Sequence, residues 1–325
     1  MVQFVRSRRL LAAAALAVLA FIPAQGSGQA GEAPPAWLYP DFIRDPISQD
    51  PTPRHVPGSD VTYTDAQVRD AFVVPDWRPG DHPPMPPVVA TGRKPDVRAC
   101  GYCHYASGQG RPENAPLAGL SAEYIIEQMS DYKSDTRKAM TGADSRWQMN
   151  AFAKAATAAE VKEAAEYFSK LTYKPWIKVV EADTVPAFRW ETGLPVQVPG
   201  QHDQPLGKRI IEMPADAVRT GLRDPASPFV AYVPRGAVAR GKTLVDTGGG
   251  KTLPCAACHG ADLKGMNPAP PIAGRSPTYL ARALYDFKGG GRNGPGGAQL
   301  MKPMAANLTL DDMIDIAAYV GTLKP

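Results

Sequence analysis

Two five-residue motifs account for all four cysteines of this chain, and in each a histidine directly follows the second cysteine. The motifs are Cys100-Gly-Tyr-Cys103-His104 and Cys255-Ala-Ala-Cys258-His259. Two thiols at this spacing form thioethers with the two vinyl groups of one porphyrin, while the adjoining imidazole reaches the iron. The sequence therefore predicts two covalently attached haem c groups, bound through the four cysteines, with both motif histidines as iron ligands.

Other cysteine-based sites fit the motifs less well. A structural zinc site draws four ligands from one fold unit. A thioredoxin-like redox pair follows a strand in a βαβ pattern, which this sequence does not show. A disulfide requires no histidine. Because histidine follows the second cysteine both times, we interpret the motifs as haem sites.

The motifs belong to a longer internal repeat. At an offset of 155 residues, Pro116, Ala118, Gly119, Ser121, Tyr124, Asp131, Lys133 and Arg137 recur as Pro271, Ala273, Gly274, Ser276, Tyr279, Asp286, Lys288 and Arg292. Further on the offset is 152, and Met149, Thr157, Ala165, Tyr167 and Leu171 recur as Met301, Thr309, Ala317, Tyr319 and Leu323. One supersecondary unit therefore occurs twice.

Both copies are predicted to be helical. Ser121 and Ser276 are placed as N-caps, with apolar residues following at helical spacing. The closing segments start at Thr157 and Thr309, the first with a capping box and the second with a close variant of it.

With these residues the chain resembles the class I cytochromes c, and among them the di-haem cytochrome c4 type, in which two such domains lie in tandem. The resemblance covers about residues 96–172 and 235–325. We therefore expect a mainly α fold of two tandem class I cytochrome c domains. A Pro-rich N-terminal extension, residues 31–95, precedes them, and a long inter-domain segment, residues 173–234, separates them.

Four methionines are candidates for the sixth iron ligand: Met140, Met149, Met301 and Met304. The repeat pairs Met149 with Met301, whereas the position equivalent to Met304 is Phe152, which cannot ligate iron. The resemblance implies the same pair, as a loop methionine eight residues before the last helix cap. We predict Met149 and Met301 as ligands; the alternative is that they only fill gaps in the core.

Four further residues are assigned around the haem groups. The resemblance implies that the backbone carbonyls of Pro116 and Pro271, twelve residues after each histidine, accept the imidazole Nδ1 proton. Arg137 and Arg292 are candidates for pairing with haem propionates, although an arginine at a helix end is equally often only solvated.

Residues 1–30 have the pattern of a secretory signal peptide, because Arg6, Arg8 and Arg9 precede an apolar run and then small residues. No second stretch approaches the ~20 apolar residues needed to span a bilayer. Removing the three arginines leaves 33 basic against 32 acidic residues, so the formal charge falls from +4 to +1 and nucleic-acid binding has no support. We expect a periplasmic protein.

The regions outside the repeat depart from the family. The extension contains 14 of the 34 prolines and one short helical candidate, Thr64–Phe72. The second domain has its own opening helix, Gly236–Val245, in which Gly241 permits a close crossing with the Tyr319 helix. Either Thr64–Phe72 replaces this helix in the first domain or that domain is incomplete. We expect the inter-domain segment to be ordered, because apolar residues are frequent in it.

The favoured function is a non-catalytic electron carrier with no catalytic residues of its own. It would relay single electrons between periplasmic redox proteins, or to a membrane-bound respiratory complex or dehydrogenase, and a variant of this function is the cytochrome subunit of that dehydrogenase. The alternative is a di-haem peroxidase, which requires one iron open to peroxide. A methionine retained at equivalent positions of both copies favours the carrier.

Overall fold

The computed structural model describes residue 1 and residues 34–40, 46, 48–138, 140 and 148–325. The predicted signal peptide, apart from Met1, lies outside the described residues. The chain divides into two units, Met1–Ala33 and Pro34–Pro325, and the second unit contains both motifs. No helix in the described part of the chain is long and apolar enough to cross a bilayer.

The helices of the two cytochrome-like regions follow the repeat. The first region contains α3 (Cys100–His104), α4 (Ala122–Lys133), α5 (Gln148–Ala155) and α6 (Ala158–Ser169), preceded by the short α1 (Asp65–Arg69) and α2 (Pro87–Ala90). The second contains α8 (Ala237–Thr247), α9 (Ala256–His259), α10 (Pro277–Gly289), α11 (Gly297–Ala306) and α12 (Leu310–Thr322), and α7 (Ala217–Gly221) lies between the regions.

The predicted helix starts have the expected cap geometry. Ser121, Ser276, Thr157 and Thr309 each accept a hydrogen bond from the backbone N–H three residues later. Complete capping boxes start both α6 and α12. Because each cap satisfies N–H groups that have no partner within the helix, these four residues fix where the repeated helices begin.

The opening helices differ between the two regions. In the second region α8 crosses α12 so closely that a Cβ at Gly241 would lie 1.8 Å from the Asp315 carbonyl oxygen. In the first region the single turn α2 takes this place, because its buried Val88 and Val89 join the core of α6. The expected substitute, Thr64–Phe72, forms only α1, whose Val68 packs in a separate small cluster.

The inter-domain segment contains the strands of the described chain. They are β1 (Ile177–Glu181), β2 (Thr184–Val185), β3 (Phe188–Glu191), β4 (Leu194–Gln197), β5 (Gln204–Pro205), β6 (Ile211–Pro214) and β7 (Phe229–Val233). β7 pairs in parallel with β1 and antiparallel with β6, while β3–β4 and β2–β5 form antiparallel pairs. The prediction of a mainly α chain did not include these strands, because runs of two to five residues give little alternating pattern.

This segment contributes to the core of the second region. Its Leu206, Ile211 and Val233 are fully buried in one cluster with Ile314 and Ala317 of α12. The order expected for the segment thus has a physical basis: its apolar side chains lose contact with water against a helix of the repeat.

A buried carboxyl group joins the segment to α10. Glu212 of β6 accepts hydrogen bonds from the Ser276 hydroxyl at 2.7 Å and from the Thr278 N–H at 3.0 Å. Its second carboxylate oxygen has no hydrogen-bond partner within the part of the chain that the structure describes. Burial raises the pKa of Glu212 to about 7 from an ordinary 4.5.

Replacing Gly241 by Ala should destabilise the protein by about 1–3 kcal/mol, because the added methyl group would overlap the α12 backbone. The matched control is Gly80→Ala in an exposed turn, where no described atom beyond its chain neighbours lies within 4 Å of the added methyl group. Denaturant unfolding of both holoprotein variants provides the measurement. Equal stabilities of the two variants would contradict the close crossing.

Glu212 predicts a pH dependence of stability. The folded state binds the proton of the Glu212 carboxyl group more tightly than the unfolded state does. The free energy of unfolding therefore falls as the pH rises from about 4.5 to about 7. Glu212→Gln should therefore raise the free energy of unfolding at pH 8 by roughly 2–3 kcal/mol and change it little at pH 4. The exposed Glu163→Gln is the control, and an equal effect of both variants at pH 8 would contradict this assignment.

Candidate haem sites

The motif histidines occupy equivalent, buried positions at the ends of α3 and α9. The Nδ1 atom of His104 lies 2.8 Å from the Ala115 carbonyl oxygen, and that of His259 lies 2.8 Å from the Pro270 carbonyl oxygen. Burial lowers the pKa of both imidazoles. A neutral ring that donates its Nδ1 proton to a carbonyl presents Nε2 as its basic nitrogen, which is the state a metal ligand requires.

The acceptor carbonyls differ from those predicted. We expected Pro116 and Pro271, whereas the acceptors are the residues immediately before them, eleven positions after each histidine. Proline restricts the residue that precedes it to an extended conformation, and this orients the preceding carbonyl. The Pro116 carbonyl accepts instead from Arg275, whose Nη1 lies 3.3 Å away.

A cavity of about 370 Å³ adjoins the first motif. It is lined by Cys103, His104 and Met149 together with apolar residues that include Ile125 and Phe152. Met149 thus lies in the same cavity as the predicted histidine ligand. Met140, the other candidate in this region, lies instead against Gly289 and Gly291 of the second region.

The resemblance implied that the ligand methionines lie in loops, whereas both lie in helices. Met149 is in the first turn of α5, and Met301 is in the middle of α11. Residues such as Ala298, Gln299 and Leu300 favour helix, which extends the helix around Met301. Met301 and Met304 are both half-buried on α11.

Arg137 and Arg292 meet between the two regions. Their backbones form an antiparallel bridge, with the Lys138 N–H donating to the Gly291 carbonyl at 2.7 Å. Both side chains are buried, and both line the cavity beside His104. This location is inconsistent with the alternative that they are only solvated.

Each of these arginines donates to a side-chain oxygen that does not belong to a carboxylate. Arg137 Nη1 lies 2.6 Å from Gln128 Oε1, and Arg292 Nη2 lies 2.9 Å from the Tyr279 hydroxyl. Although burial disfavours the ionised phenol, the two guanidinium groups outweigh it and lower the pKa of Tyr279 to about 7. The Arg292 Nε is buried with no hydrogen-bond partner among the described residues. Such a set attracts anionic groups such as carboxylates.

Further residues that line the cavity were not predicted from the sequence. Arg111 forms an ion pair with Glu113, and Arg223 lies 3.7 Å over the Tyr102 ring. Tyr39 of the extension hydrogen-bonds to Asp286 of α10. The contacts of Arg223 with Tyr102 and of Tyr39 with Asp286 join distant parts of the chain, so no spacing in the sequence indicates them.

The donor set fits haem c. Each motif offers two thiols and one oriented imidazole, and the first adjoins a cavity that also contains a thioether and buried cationic side chains. The zinc alternative lacks a comparable basis, because within the described ranges no three His, Cys, Asp or Glu side chains form a potential metal site. Among the other histidines, His82 pairs with Asp76, with 3.1 Å between Nε2 and Oδ1.

Comparison with known proteins identifies similar chains. The sequence model of the family described as Cytochrome c matches residues 238–324. The chain is 45% identical over 69 residues to cytochrome c-554(548) of Halomonas halodenitrificans, covering 21% of this chain and 82% of that protein. It is 24% identical over 229 residues to cytochrome c4 of Azotobacter vinelandii, covering 69% of this chain and 84% of that protein. It is also 39% identical over 73 residues to the cytochrome subunit of sulfide dehydrogenase of Chlorobaculum tepidum, covering 22% of this chain and 63% of that protein.

Proposed function

Because this chain belongs to the class I cytochromes c and is of the c4-like type, we propose that it relays single electrons through two haem c groups, one attached to each motif. A bound haem c supplies a one-electron iron couple. The observation that carries the proposal is the duplicated motif in which each buried histidine donates Nδ1–H to a carbonyl eleven residues later.

The residues proposed to hold the first group are Cys100, Cys103, His104 and Met149, and those for the second are Cys255, Cys258, His259 and Met301. The hydrogen bonds at Nδ1 fix the ring orientation of both histidines and strengthen their donation. The thioethers of Met149 and Met301 are soft, neutral ligands, which favour ferrous iron and raise its potential relative to a second histidine.

The contacts between the regions support transfer within one molecule. Besides the bridge at Arg137 and Arg292, the buried Arg275 donates to the Ala118 carbonyl at 2.9 Å and lies 4.1 Å over the Tyr173 ring. Breaking these contacts would leave a buried cation without partners, which is costly. The two sites are therefore held at a fixed separation and orientation. A protein that changes its structure little on oxidation and reduction exchanges electrons rapidly.

We place this carrier in the periplasm, on the pattern of residues 1–30. Its partners are periplasmic redox proteins, a membrane-bound respiratory complex or a dehydrogenase. The similarity to the cytochrome subunit of a sulfide dehydrogenase supports a role as such a subunit. The extension and the inter-domain segment supply surface for attachment beyond the two repeated regions.

The haem content tests the proposal. Matured wild-type protein should retain two porphyrins per chain after denaturation, because thioether bonds survive unfolding. Cys255→Ala/Cys258→Ala should retain one, as measured by intact mass and by absorbance of the reduced pyridine complex. A wild-type protein without covalently retained porphyrin would contradict the proposal.

Methionine variants test the axial ligands. Met149→Leu and Met301→Leu should each remove half of the absorbance from methionine-to-ferric charge transfer and lower one midpoint potential in a spectroelectrochemical titration. The matched controls, Met140→Leu and Met304→Leu, should change neither. Loss of the band in Met304→Leu but not in Met301→Leu would reverse the assignment in the second region.

The same samples distinguish the carrier from a peroxidase. We expect both ferric centres of the resting protein to be low-spin, because both sixth positions are filled. A high-spin centre, together with peroxide turnover using a reduced cytochrome as donor, would identify an enzyme instead.

A further inference from the structure

The two copies of the repeat bury their histidines equally but differ in the exposure of the second cysteine and of the loop that follows the motif. Cys258 is exposed, whereas its equivalent Cys103 is half-buried. The loop after the second motif exposes Ala261, Asp262, Lys264 and Met266, while three of the four equivalent positions after the first motif are buried. The fourth, Ser107, is half-buried.

The inter-domain segment covers the first motif. Arg223 donates to the Tyr102 backbone carbonyl at 2.8 Å and stacks on the Tyr102 ring. Gln109 exchanges two hydrogen bonds with the backbone of Lys174, at 2.8 and 2.9 Å. The second region adds Arg282, which donates to the Pro112 carbonyl at 2.8 Å.

The surface around the second motif is apolar. Leu253 is 56% exposed and Met266 is 55% exposed, and both are among the few large apolar side chains that the described chain presents to solvent. Exposed Ala257 and Ala261 lie between them in the sequence. The Met266 Cβ would lie 3.9 Å from a Cβ on Gly260, which places this methionine beside the residue that follows His259.

The charges on this surface cancel. Residues 253–268 carry one exposed acid, Asp262, and one exposed base, Lys264. The Lys264 ammonium group already donates to the Pro325 carbonyl at 3.1 Å. An apolar surface without net charge is best matched by a partner of the same character, because a charged partner would lose hydration and gain no ion pair.

We propose that residues 253–268 form the docking surface through which a redox protein with an apolar, weakly charged face exchanges electrons with this chain. The inference rests on the proposed function. The thioether at exposed Cys258 would place one porphyrin edge at this surface. The first site, covered by the inter-domain segment, would exchange electrons with the second site rather than with an external protein.

The test uses the haem-loaded full chain and stopped-flow reoxidation by two probes. One is an oxidised blue-copper protein with an apolar face over its copper site, and the other is ferricyanide, which needs no apolar contact. Leu253→Gln/Met266→Gln should slow reoxidation by the blue-copper protein about tenfold, because the lost apolar burial weakens the encounter complex. Ferricyanide should react within about twofold of the wild-type rate, since no charge changes.

The matched control is Val218→Gln, which makes the same kind of change at an apolar side chain that is 74% exposed on α7. It should leave both rates unchanged. The wild-type rate with the blue-copper protein should also vary little with ionic strength, because the surface carries no net charge.

Three results would overturn the docking proposal: an unchanged rate in the double variant, equal slowing in Val218→Gln, or a steep ionic-strength dependence. Sedimentation showing that the double variant converts a wild-type dimer into monomers would also overturn it, since a second copy would then occupy the surface. Failure of ferricyanide to reoxidise the wild-type protein would instead overturn the proposed function, and the docking proposal with it.

Discussion

The hydrogen bond between each motif histidine and a backbone carbonyl eleven residues later is the interaction on which the rest of the structure depends. It closes a loop between the motif and the next helix, and it holds the imidazole in one tautomer. The caps of α4 and α10, Ser121 and Ser276, lie six residues after these acceptors, so the contact holds the segment that leads into each helix. A backbone acceptor also leaves the side chains of the loop free to differ between the copies.

The local parts of this arrangement could be predicted from the sequence. The caps at Ser121, Ser276, Thr157 and Thr309 were predicted correctly, because a cap depends on residues only three positions apart. The close crossing at Gly241 also followed from one residue in a helical pattern. The motifs and the repeat indicate the family from the sequence alone.

The remaining parts depend on contacts between distant residues. The carbonyl acceptor was assigned one position too late, because sequence spacing does not determine which of two adjacent carbonyls faces the histidine. The strands were not predicted. The side chains that bury Ile211 of β6 include those of Ile314 and Ala317, which lie about a hundred residues further along the chain. Likewise, no pattern indicated that Arg223 would stack on Tyr102.

The duplicated unit allows each copy to serve as a reference for the other. Positions that are identical in both copies, such as the motif histidines and the helix caps, maintain the scaffold that both copies require. Positions that differ in burial show what the added segments do: Arg111 is buried in an ion pair, whereas the equivalent Met266 is exposed. The inter-domain segment packs against α12 of the second copy, but the motif that it covers is the first one. The two motifs therefore differ in their access to solvent, since Cys103 is half-buried whereas Cys258 is exposed.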